Sequence, residues 1–148
     1  MKKKILAVII LIIIAIYIID IVSRNTIDDD PNNCLRTFES LWGFDFKKAE
    51  KLVYYDTDVD GWHGDGYTYA IVEYGKKINP KELFKWETLE KRIKKSANDI
   101  LNHLEVEEKY KPNYKECYYY WKENNQNEIY IIIDRKDFQK LYIIESRI

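Results

Sequence analysis

The sequence predicts an α+β fold. It consists of an N-terminal transmembrane helix and a small domain whose antiparallel sheet, in the order ββ-α-βββ, packs on one main amphipathic helix. Three observations carry this reading. Residues 5–19, ILAVIILIIIAIYII, hold no charge, and Ile21 and Val22 extend the run past Asp20. Five later runs are rich in strand formers. The last three are joined by two short polar segments, which suits antiparallel neighbours because a parallel pair needs a long crossover. Between the second and third strands lies one long stretch with apolar residues at helical spacing, and strands segregated from a helix read as α+β. At 148 residues the chain has room for a membrane segment and one modest core.

Ile5–Val22 spans 18 residues, near the lower end of the ~17–25 that cross a bilayer. Lys2, Lys3 and Lys4 precede it, and Asp28, Asp29 and Asp30 follow. Lys and Arg resist translocation, so the N-terminus is expected in the cytoplasm and the C-terminal domain outside. A cleaved signal peptide competes, but no A-x-A pattern follows the run. Cys34, after Pro31, Asn32 and Asn33, lacks the small residues that lipid attachment requires. The expected location is therefore the cell membrane, with an uncleaved single-pass anchor and the lipid bilayer as partner of residues 5–22.

Three parts follow from this: residues 1–27 as Lys cluster and anchor, 28–46 as tether and short helix, and 47–148 as the extracytoplasmic domain. The short helix runs from about Asn33 to Leu41, with Leu35, Phe38 and Leu41 at helical spacing and Gly43 as its stop. Residues 50–57 and 67–74 read as strands. Asn79-Pro80-Lys81-Glu82 is a helix start, in which Asn79 caps, Pro80 fits the first turn and Glu82 reaches back. Leu83, Trp86, Leu89, Ile93, Ala97, Ile100, Leu101 and Leu104 then form one apolar stripe. Thr88 offers a second cap where that helix would break. Strands Cys117–Glu123, Glu128–Asp134 and Lys140–Glu145 complete the chain.

Residues 28–148 keep 20 of the 24 Lys and Arg and 24 of the 25 Asp and Glu, a net charge of −4. That argues against nucleic acid as a partner, since such domains show a basic excess. The stretch Asp56–Gly66, DTDVDGWHGDG, is the richest in chemistry. Asp56, Asp58, Asp60 and Gly61 match the opening of an EF-hand loop, where alternate carboxylates converge on a hard cation. The twelfth position, which needs a bidentate Glu, is Tyr67. Calcium held by Asp56, Asp58, Asp60 and Asp65 in a loop of another type stands against an acidic, glycine-rich turn that serves only the backbone. His63 and Asp65 are a general base and an orienting carboxylate by type, and on an extended chain they project to one side. No nucleophile motif accompanies them. Zinc is disfavoured, because His103 is the only other histidine and no C-x-x-C is present.

Cys34 and Cys117 are the only cysteines. Outside the membrane they either form a disulfide or stay unpaired, and spacing alone does not decide. The 13 tyrosines include Tyr118, Tyr119 and Tyr120, followed by Trp121; Tyr54, Tyr55, Tyr67 and Tyr69 flank the acidic loop. An aromatic sheet face would stack on cell-wall sugars, but Tyr also suits strands in its own right.

Gly61-Trp62-His63-Gly64-Asp65-Gly66, after a strand and an Asp, resembles the G-[aromatic]-HGDG loop of a group of uncharacterised small membrane-anchored or exported proteins of low-GC Gram-positive bacteria. The lysine-rich apolar N-terminus fits that pattern. So does the ending formed by Ile129, Tyr130 and Asp134 with Leu141, Tyr142 and Glu145. The resemblance implies an exported or anchored domain and no particular activity.

The leading expectation is a membrane-anchored extracytoplasmic binding domain with a protein or cell-wall partner. One alternative is a cation-dependent module or hydrolase-like enzyme centred on residues 56–66. Another is an immunity-type protein that covers a partner's surface.

Overall fold

The computed structural model describes residues 30–59, 64–79, 82–88, 90–125, 127–136 and 138–148. The anchor expected at residues 5–22 lies outside them. No helix among the described residues is long and apolar enough to cross a membrane.

The architecture is α+β, built on a six-stranded antiparallel sheet. The order along the chain is α1 (Pro31–Trp42), β1 (Lys51–Thr57), β2 (Gly66–Glu73), β3 (Glu87–Thr88), α2 (Lys91–His103), β4 (Cys117–Asn124), β5 (Asn127–Asp134) and β6 (Lys140–Arg147). Across the sheet the strands run β1-β2-β6-β5-β4-β3. The five long strands fall where strand formers cluster in the sequence. β6 inserts between β2 and β5, and pairs with β2 from Gly66↔Arg147 to Glu73↔Lys140.

Both faces of the sheet are covered. On one, Leu35, Phe38 and Trp42 of α1 pack on Ala70, Val72, Ile131, Ile133, Leu141 and Ile143. On the other, Ile93, Ala97, Ile100 and Leu101 of α2 pack on Tyr69, Ile71, Tyr130, Ile132 and Ile144. The expectation of a single main helix under the sheet is corrected accordingly. The strand sequence shows why: Ile129–Ile133 are at most 2% exposed at every position, so β5 has no wet face and needs a layer on each side.

The expected helix over residues 79–104 is also corrected. Its capping chemistry forms, with the Glu82 amide donating to the Asn79 carbonyl at 3.1 Å and the Asn79 side chain donating to Glu82 at 2.9 Å. The turn then stops. Residues 87–88 pair with Tyr118 and Tyr119 as a two-residue edge strand, and α2 begins only at Lys91, with Glu90 as its N-cap. Leu83, Phe84 and Trp86 pack on the α1 side, whereas Ile93 and Ala97 pack on the other. The stripe that is continuous in sequence is thus divided between two faces as the chain rounds the sheet edge.

α1 starts at Asp30, whose side chain accepts from the Asn32 amide at 2.9 Å, with Pro31 in the first turn. It ends at Gly43, left-handed at φ 67°. The helix extends one residue past Leu41; Trp42 is buried and Leu41 is 48% exposed. Its C-terminal end is tied to the sheet by Glu145, only 1% exposed. Trp42 Nε1 donates to Glu145 Oε1 at 2.5 Å, and Arg147 Nη2 and Nε donate to Oε2 at 2.7 and 3.0 Å. Lys122 Nζ donates to the Trp42 carbonyl at 2.6 Å.

Removing the acceptor from this cluster leaves a guanidinium and an indole N–H without their partner in a buried site. Glu145→Ala is expected to lower the unfolding free energy by about 3–5 kcal/mol. The reading is an earlier urea midpoint at an unchanged slope. A loss under about 1 kcal/mol would mean that water replaces the carboxylate.

Candidate functional site

The antiparallel register gives the sheet two distinct ends. One holds the β1–β2 loop, the β4–β5 turn and the C-terminus. The other holds Glu50, the chain after Glu73 and the β5–β6 turn. Asn32 Oδ1 accepts from the Ala49 amide at 3.1 Å, so α1 enters at this second end, opposite the β1–β2 loop.

At the first end Asp58 is the organising residue. Its backbone continues the ladder, with its amide donating to the Tyr67 carbonyl at 3.1 Å. Its Oδ1 accepts from the Tyr67 amide at 2.5 Å, and its Oδ2 lies 2.8 Å from His103 Nε2. The Tyr67 ring meets the imidazole edge-on, centroids 4.9 Å apart. His103 comes from the last turn of α2 and is 58% exposed at the side chain; Asp58 is 37% exposed. The pair therefore ties the loop to the helix that covers the second face. Gly66 makes the close approach feasible. It sits at φ +136°, and a Cβ there would lie 2.7 Å from Val59 Cα.

The residues named from the sequence fare differently. Asp58 uses both carboxylate oxygens within the protein. Asp56 accepts from the Tyr54 hydroxyl at 3.2 Å. Asp65 is exposed. Asp60 and His63 lie outside the described residues. Among the described residues no group of three or more His, Cys, Asp or Glu is placed to hold a metal ion. His103 was missed as a partner of Asp58. The two are 45 positions apart, and only the docking of α2 brings them together.

The surroundings are acidic. Asp58, Asp65, Glu105 and Glu123 are exposed. The cations nearby are engaged: Lys109 with Glu107 at 2.8 Å, Lys111 with Glu108 at 2.6 Å, Arg147 with Glu145 and Lys122 with the Trp42 carbonyl.

The aromatic run divides by strand alternation. Tyr118 and Tyr120 face the α1 side, while Tyr119 and Trp121 face the α2 side, Tyr119 buried among core residues. On the α1 side Phe44, Phe84 and Tyr120 form a packed trio, with Phe84 stacked on Tyr120 at 4.7 Å and edge-on to Phe44 at 5.1 Å. Beside it Leu83, Phe84, Trp86, Tyr118 and Phe138 line an open cleft of about 750 Å³, with Asn79, Glu82 and Lys85 at its rim.

Both thiols are free. Cys34 packs with the α1-side cluster and Cys117 belongs to the α2-side cluster, so the sheet itself separates them, and of the two alternatives this structure has the unpaired one. Burial, with the Glu145 charge nearby, pushes the Cys34 thiol up to about 12. Burial, then Asp134 and Glu116, pushes Cys117 up to about 12. Comparison with family models, with curated proteins and with solved structures gives no match.

Two outcomes follow. The unfolded chain releases the thiol protons from an ordinary value of 9.0 upward, and the fold holds them to about 12. Their contribution to stability is full below pH 9.0 and falls as pH rises toward 12. At pH 8 both thiols are expected to alkylate about 10³-fold more slowly in the native protein than in urea; equal rates would contradict the burial. Gly66→Ala is expected to cost about 1–3 kcal/mol from the forbidden φ and the contact with Val59, read in the thermal midpoint.

Proposed function

We propose that the chain is a single-pass membrane protein whose α+β domain works outside the cytoplasm as a binding module. It presents the Asp58–His103 end of the sheet to a partner with a basic surface. The observation that carries this reading is the disposition of the two ends. α1, which follows directly on the anchor and tether, enters at one end, and the acidic corner with its engaged cations stands at the other. A tethered domain of that build holds the corner away from the bilayer, where charge steers a cationic partner onto it.

A catalytic role has less support. The Asp58–His103 pair is open to solvent, and Asp58 already accepts from a backbone amide with its second oxygen. A cation site at Asp58 would have to break both contacts.

Two measurements test the proposal. A reporter fused after Ile148 that is active only outside the cytoplasm is expected to be active; cytoplasmic activity would overturn the topology. A photocrosslinker placed in cells at position 65 is expected to give a discrete adduct that weakens with added salt, while the same group at position 95, on the outer side of α2, gives none. Identical patterns from both positions would remove the acidic corner as the binding face.

A further inference from the structure

The aromatic cleft lies at the anchor end of the domain. Tyr118 opens β4 there, Phe138 sits in the β5–β6 turn, and Asn79 follows the loop after β2. Lys47 pairs with Glu82 on the cleft rim at 2.5 Å, and Lys47 and Lys48 line one hollow with Asp30, Asn32 and Arg36 at the start of α1. The entry point of α1 and the cleft therefore share one face and one end of the sheet.

Residues 23–29 separate the apolar run from Asp30 and reach at most about 25 Å when fully extended. On the proposed anchor, the bilayer surface lies within that distance of Asp30, at the end of the sheet that carries the cleft. Trp and Tyr are the side chains that settle at a membrane–water interface, where an apolar body and a polar tip are both satisfied, and Leu and Phe supply apolar area beside them. Lys85 is exposed on the cleft rim, Lys76 and Lys77 are exposed on the loop leading to Asn79, and Arg135 lies over the Tyr118 ring at 4.6 Å. These cations suit lipid phosphates. Exposed acids stand at both ends, Asp58, Asp65, Glu105 and Glu123 at the far one and Asp30, Glu50, Glu82 and Glu116 at the cleft's, where Lys47 and Lys136 pair with Glu82 and Glu116.

Resting on the anchor proposed above, we infer that the cleft formed by Leu83, Phe84, Trp86, Tyr118 and Phe138 seats on the surface of the membrane that holds the chain, with phospholipid headgroups and upper acyl carbons as its ligand. Docking fixes the domain upright and fixes the direction in which the acidic corner points.

The experiment uses the full chain in vesicles of phosphatidylcholine and phosphatidylglycerol, part of the phosphatidylcholine being brominated on its upper acyl carbons. The brominated lipid is expected to quench tryptophan emission, and Trp86→Phe is expected to remove about half or more of that quenching. Leu83→Asp, which keeps Trp86, is expected to reduce it as well. Trp86 quenched by aqueous acrylamide and untouched by brominated lipid would overturn the docking; if the chain still floats with the vesicles, the anchor stands. A chain that does not float removes the anchor and the docking together.

Discussion

The constraint on which the rest of the fold depends is that its central strands are apolar on both faces. Ile129, Ile131 and Ile133 point to one side of β5, and Tyr130 and Ile132 to the other, all nearly inaccessible to water. An antiparallel sheet commonly leaves one face wet. Here neither can be, so a chain with two α-helices in its described residues places one on each side. The short helix before β1 is thereby an integral layer of the domain. The crossing at Glu87–Thr88 has the same origin: one segment supplies Leu83 and Trp86 to the first face and Ile93 and Ala97 to the second, and it must round an edge to do so.

The polar chemistry sits where this sandwich ends. Strand alternation carries Glu145 under α1, where only a satisfied carboxylate is tolerated. Trp42 and Arg147 satisfy it and in doing so hold the C-terminal end of the helix to β6. At the rim of the other face, α2 ends beside the β1–β2 loop, and Asp58 meets His103. Both contacts join a helix to the sheet, at β6 in one case and at the loop after β1 in the other. They set where the loops project, and the two ends of the sheet consequently differ, one carrying the Asp58–His103 pair and the other the aromatic cleft.

The five long strands and the short first helix were legible because each carries its own local signal: β-branched and aromatic runs, Leu35, Phe38 and Leu41 at helical spacing, Gly43 at the helix stop; the helix starts earlier than Asn33 because Asp30 caps it and Pro31 fits its first turn. The helix over residues 79–104 was misread because its local signal was also good. Asn79 and Glu82 do make the capping contacts, and the apolar spacing does continue. Periodicity reports that residues are buried, not on which side of a sheet. A signal against the single covering helix was present in the unbroken run Ile129–Ile133, which has no polar alternate and so announces two buried faces. Nothing local could have paired Asp58 with His103 or parted Cys34 from Cys117, since both relations are set by which layer each residue joins.

By itself the sequence determined the class of the domain: strands and helices in an α+β arrangement, with an acidic Asp- and Gly-rich loop between β1 and β2. Those follow from composition and short-range periodicity, which act within a few residues. The tertiary structure alone decided that β6 lies between β2 and β5, that the helices take opposite faces, that the two thiols stay apart, and that the acidic corner and the aromatic cleft occupy opposite ends. These depend on contacts between distant residues, and such contacts are selected by the burial of the whole sheet rather than by any segment's own preference.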